Sequence, residues 1–79
     1  MTFYCTFASN SIHADSYIEV IAEDRWKAMD WTEHHMILPS PYVTPEKDFK
    51  YLFESYPGGC IAVINLITGE KQVKGVFLK

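Results

Sequence analysis

The sequence has little of what usually announces chemistry. Only two cysteines occur among 79 residues, Cys5 and Cys60, which leaves no CxxC metal or redox pair. The adjacent glycines Gly58 and Gly59 belong to neither GxGxxG nor GxxxxGK[ST], so no phosphate-cradling loop is encoded. Apolar runs are short: Cys60 to Ile67, interrupted by Asn65, falls far below the ~20 residues of a membrane-spanning helix. No basic n-region followed by an apolar h-region opens the chain, so the expectation is a cytoplasmic protein with both thiols reduced. Basic residues are also scarce. Seven Lys and Arg stand against ten Asp and Glu, a net charge of −3, which argues against direct nucleic-acid binding because a phosphate ligand needs a basic stripe.

What is present favours folding. The chain is 48% hydrophobic and 15% aromatic, with 22% charged residues, unlike a disordered segment. Residues 1–79 are expected to form one domain with a thin core, burying roughly 60–65% of the unfolded surface. Acidity is concentrated in residues 1–43, where Asp15, Glu19, Glu23, Asp24, Asp30 and Glu33 face only Arg25 and Lys27, a balance of −4. The remainder carries +1.

Hydrophobic periodicity sets the expected elements. Met1 to Ala8 alternates, with Phe3, Cys5 and Phe7 on one side and Thr2, Tyr4 and Thr6 on the other; Ser16 to Ala22 alternates again through Ile18 and Val20. The turn-rich Ser9–Asp15 stretch joins them as a hairpin. Glu23 or Asp24 suits a helix N-cap, and Arg25 to about His35 is predicted helical, with Trp26, Ala28, Met29 and Trp31 spread over a broad apolar arc. Met36 to Val43, with Pro39 and Pro41, is predicted to be a connector. A second helix is predicted from a Thr44 cap and Pro45 at its first position, with Phe49, Leu52, Phe53 and Tyr56 at i, i+3, i+4 and i+7. Pro57-Gly58-Gly59 ends it. Cys60–Ile67 and Glu70–Leu78, separated by Thr68-Gly69, form a second hairpin. The expected fold is α+β: ββααββ, a four-stranded, largely antiparallel sheet with two helices packed on one face.

Each reactive side chain has an ordinary structural explanation. His34 and His35 invite a metal reading, but adjacent helical residues point about 100° apart, whereas helical ligand pairs need i, i+3 or i, i+4. Histidines at a helix end also satisfy terminal carbonyls. Cys60 begins an apolar strand and Cys5 lies beside Phe3 and Phe7, so both suit core positions better than catalytic ones. The carboxylate pairs Glu23–Asp24 and Asp30–Glu33 lack a cleft in which to work together. Neither a catalytic residue nor a cofactor or metal site is assigned. Tyr17, Trp31, Tyr42 and Tyr51 are placed outward or at edges, where tyrosine and tryptophan serve as binding anchors.

The opening MTFYCTFA, followed after a loop by YIEVIAEDRWKAMDW, resembles the starts of short bacteriophage and prophage proteins that pair an N-terminal hairpin with a helix. Such small phage and mobile-element α+β proteins include anti-CRISPR proteins and other inhibitors of host defence. The resemblance implies action by occupying a surface of a larger machine in the bacterial cytoplasm, and it carries over no functional residue. The leading expectation is a non-enzymatic protein-binding module that meets a basic partner surface through Glu19, Glu23, Asp24, Asp30, Trp31 and Glu33, as a monomer or weak homodimer. Two alternatives are a self-associating assembly protein that uses a sheet edge, and a metal-binding protein centred on His34 and His35.

Overall fold

A computed structural model describes residues 1–74 and Leu78. In chain order the elements are β1 (Thr2–Phe7), β2 (Ser16–Ile21), α1 (Arg25–His35), β3 (Pro39–Pro45), α2 (Glu46–Phe49), a 3-10 turn (Phe53–Ser55), β4 (Gly59–Asn65) and β5 (Lys71–Val73). The alternation in the first two strands does what it predicts: β1 and β2 pair antiparallel with Phe3 opposite Val20 and Cys5 opposite Ile18, all fully buried. The second hairpin also forms, with Val63 opposite Gln72. Its turn is held by Asn65 Oδ1, which accepts from the Ile67 and Thr68 amides at 3.0 and 3.1 Å, and Gly69 supplies a φ of +83°. The predicted strand beyond Lys74 falls on residues 75–77, outside the described residues.

The fold is α+β, but the sheet among the described residues is five-stranded and mixed, in the order β3-β1-β2-β4-β5. Two sequence expectations need correction. The Pro-rich stretch expected to be a connector is the edge strand β3, paired antiparallel with β1. Proline cannot donate to a ladder, but at an edge one side of the strand needs no donors, and the extended bias around Pro39, Pro41 and Pro45 suits a strand. Further, β2 and β4 run parallel. The all-hairpin, four-stranded antiparallel arrangement therefore gives way to two crossover connections.

Those crossovers also correct the helix placement. Strands β2, β3 and β4 share one direction, because β2 and β3 both oppose β1 and β4 parallels β2. The β2-to-β3 link, which contains α1, crosses the sheet one way, and the β3-to-β4 link, which contains α2, returns the other way. Crossovers in opposite directions share the preferred right hand only when they pass over opposite faces. Accordingly α1 covers the face of Phe3, Cys5, Phe7, Ile18, Val20, Val43, Ala62 and Ile64, contributing Ala28 and Trp31, with Met36 following it. On the opposite face, α2 lays Phe49 flat on Tyr4, with ring centroids 4.7 Å apart.

The second helix is shorter than its spacing predicts. Thr44 does not cap it, because Thr44 is paired with Tyr4 in the sheet, and Pro45 takes the N-cap position without a side-chain hydrogen bond. One turn holds, and the chain then bends through the 3-10 turn to reach β4. Of the four aromatic and aliphatic positions, Phe49, Phe53 and Tyr56 pack on sheet tyrosines, unequally, with Phe49 1% exposed and Phe53 37%, and Leu52 is 39% exposed. Around Phe49 gather Tyr17, Phe53 and Tyr56 with centroids 5.1, 5.2 and 5.6 Å away, giving the sheet a second, aromatic core. At the entry to β4, the Gly58 amide donates to the Asp15 carbonyl at 2.9 Å, fastening the returning chain to the start of β2.

Candidate functional site

The outward side of α1 is the most distinctive surface. Asp24 caps the helix by accepting from the Lys27 amide at 2.9 Å, as a carboxylate at a helix N-terminus favours. Glu23 binds the Lys27 ammonium at 2.8 Å, and this hydrogen bond holds the exposed lysine pKa above its ordinary value. Ala28, Trp31 and Thr32 turn inward at the i, i+3, i+4 spacing. The Thr32 hydroxyl is satisfied by donating to the Met29 carbonyl at 2.8 Å. With 100° per residue, Trp26 lies about 140° around the helix from Trp31 and points away from the sheet. It is 75% exposed, a large apolar side chain left in water. Asp30 and Glu33, four and seven residues on, share its side of the helix and are exposed.

Trp31, expected among the contact residues, is instead 7% exposed and belongs to the core. Its ring stacks on His35 at 5.0 Å, and Lys71 Nζ lies 6.0 Å from its centroid. The sequence carried a signal for the distinction. Trp26 has Glu23 at i−3, Asp30 at i+4 and Glu33 at i+7, a charged stripe, whereas Trp31 shares its stripe with Ala28. Glu19 is also separated from the others. It sits opposite Tyr4 in the β1–β2 register, on the face away from α1, and accepts from the Tyr4 hydroxyl at 3.0 Å. Burial first, and then the Glu19 hydrogen bond, push the Tyr4 pKa well above its ordinary value. Tyr17 is likewise half-buried in the aromatic core rather than outward, while Tyr42 and Tyr51 are 72% and 78% exposed. The predicted set therefore divides: Asp30 and Glu33 lie on α1 and Glu23 and Asp24 at its N-terminal end, while Glu19 and Trp31 are placed elsewhere and Trp26, outside that set, is exposed on the side of Asp30 and Glu33.

The other reactive groups are occupied locally. His34 Nδ1 donates to the Asp30 carbonyl at 2.8 Å and His35 Nδ1 to the Trp31 carbonyl at 3.0 Å, the helix-end role their position suggests. Among the described residues no three His, Cys, Asp or Glu side chains converge as a metal-binding group. Both cysteines are free: Cys5 is buried, and Cys60 is exposed with its thiol donating to the Ala62 carbonyl at 3.2 Å. Two open hollows lie among the described residues. One, of about 460 Å³, is lined by Cys60–Val63 and Gln72–Lys74; the other, of about 530 Å³, lies between Tyr4, Glu46, Lys47, Lys50 and Phe53. Neither lining includes a histidine to activate a nucleophile. No described helix is long and apolar enough to cross a membrane. No family model, curated protein or solved structure matches this chain.

Proposed function

We propose that this chain is a non-enzymatic protein-binding module that docks the outward face of α1 on a basic protein surface. The observation that carries the reading is Trp26, 75% exposed on a helix face that also bears Asp30 and Glu33. An indole offers a large contact area at little entropic cost, and the Asp30 and Glu33 carboxylates on the same side favour a basic partner and steer its approach. Grooves that bind DNA or RNA are basic surfaces of this kind, so blocking one would inhibit a nucleic-acid-handling complex. This fits a phage or mobile-element inhibitor acting in the cytoplasm of a bacterial host.

The test is affinity capture from the host with the wild-type chain, followed by direct binding to the captured protein. Asp24 is left intact because it caps the helix. Trp26→Ala combined with Asp30→Lys and Glu33→Lys is expected to abolish capture, and wild-type binding should weaken steeply as salt is raised. Equal binding by the triple variant would overturn the assignment of this face.

A further inference from the structure

The two edges of the sheet are built differently. Along β3, Pro39, Pro41 and Pro45 lack the N–H that a neighbouring strand would need. At the other edge, Lys71, Gln72 and Val73 of β5 are all exposed and contain no proline. The hydrogen bonds from the Lys74 amide to the Ile61 carbonyl and from the Asn65 amide to the Glu70 carbonyl, both 2.8 Å, set the phase of this strand. The backbone groups of Glu70, Gln72 and Lys74 point toward β4, so those of Lys71 and Val73 point outward.

We propose that β5 is a homodimerisation edge, at which a second copy adds antiparallel about a two-fold axis through Gln72. The sequence around the axis is self-complementary. A two-fold at Gln72 places Lys71 opposite Val73 of the second copy, and these are the residues whose backbone groups point outward. Four hydrogen bonds close between them. The same axis puts Glu70 opposite Lys74 in a non-hydrogen-bonded pair, where side chains approach closest, so two ion pairs flank the join. Shifting the axis to Lys71 would instead set two lysines against each other. A second copy is thus favoured over an arbitrary extended segment by charge as well as by backbone phase, and the two five-stranded sheets become one of ten strands. Lysines alone commonly blunt an edge; Glu70 is what turns Lys74 into a partner. This surface is separate from the Trp26 face of α1, and either can hold without the other.

Sedimentation velocity from micromolar to about 1 mM protein tests the idea, with circular dichroism to verify folding of every variant. The wild-type chain should show a concentration-dependent monomer–dimer equilibrium. Glu70→Lys and Lys74→Glu should each weaken it about tenfold by opposing like charges, and the double exchange E70K/K74E should restore it. Val73→Pro, which removes an outward N–H that the monomer does not use, should abolish it. A wild-type chain that stays monomeric throughout, or a dimer indifferent to both the charge exchange and Val73→Pro, overturns the proposal.

Discussion

Phe49 is the residue on which the second face of the sheet depends, and truncating it measures how much stability that face supplies. The ring is 1% exposed and contacts Tyr4, Tyr17, Phe53 and Tyr56. It is also the only buried residue of α2. Phe49→Ala removes the transfer energy of a buried aromatic ring and leaves a cavity walled by four other rings, which cannot all close over it. The expected cost is about 3–5 kcal/mol. A chain of 79 residues has a total stability of roughly 4–12 kcal/mol, so this one change consumes about half of it. Urea titration followed by far-ultraviolet circular dichroism and by fluorescence of the buried Trp31 should show the midpoint falling by about 3–5 M, taking a slope near 1 kcal/mol per M for so small a domain. Phe53→Ala, at a position already 37% exposed, should cost only about 1–2 kcal/mol. A loss below about 1 kcal/mol for Phe49→Ala would refute the reasoning: α2 would then be a surface turn, and the stability would reside almost entirely under α1.

Three other outcomes follow from the same geometry. Asp24→Ala removes the cap that accepts from the Lys27 amide and should lower stability by about 1 kcal/mol, measured by urea titration, while Asp24→Asn should keep most of it. Gly58→Ala would drive a Cβ against Ser16 Oγ and the Asp15 carbonyl oxygen, which lies 2.9 Å away, loosening the fastening between β2 and β4; a cost of about 2 kcal/mol is expected, with faster amide exchange at Gly58. Burial pushes the Cys5 thiol from 9.0 up to about 12. The unfolded chain therefore loses this proton first. Stability is fully present below pH 9 and falls by about 1.4 kcal/mol per pH unit as pH rises toward 12. Urea midpoints measured from pH 8 to 10 should decline more steeply for the wild type than for Cys5→Ala, in which the raised Tyr4 and Tyr17 hydroxyls still titrate.

Much of the local structure was legible because it rests on interactions close in sequence. Alternation in Thr2–Phe7 and Ser16–Ile21 puts Phe3, Cys5, Ile18 and Val20 on one face whatever the remaining chain does, and Asp24 reaches the Lys27 amide within a single helical turn. Asn65 and Gly69 likewise determine their own turn. The acidic character of α1 was equally visible, since Glu23, Asp24, Asp30 and Glu33 all fall within or beside one helix. The sequence could not say that Pro39–Pro45 would pair with β1, because proline forbids a central strand but tolerates an edge, and only the assembled sheet defines its edges. Nor could it place the two helices. Their separation onto opposite faces follows from the parallel pairing of β2 with β4, a contact between residues more than forty positions apart. The burial of Trp31 and the exposure of Trp26 were by contrast written in the helix itself, because Ala28 marks the Trp31 side as apolar while Glu23, Asp30 and Glu33 mark the Trp26 side as solvent; the tertiary structure decided only which face of the sheet that apolar side would cover.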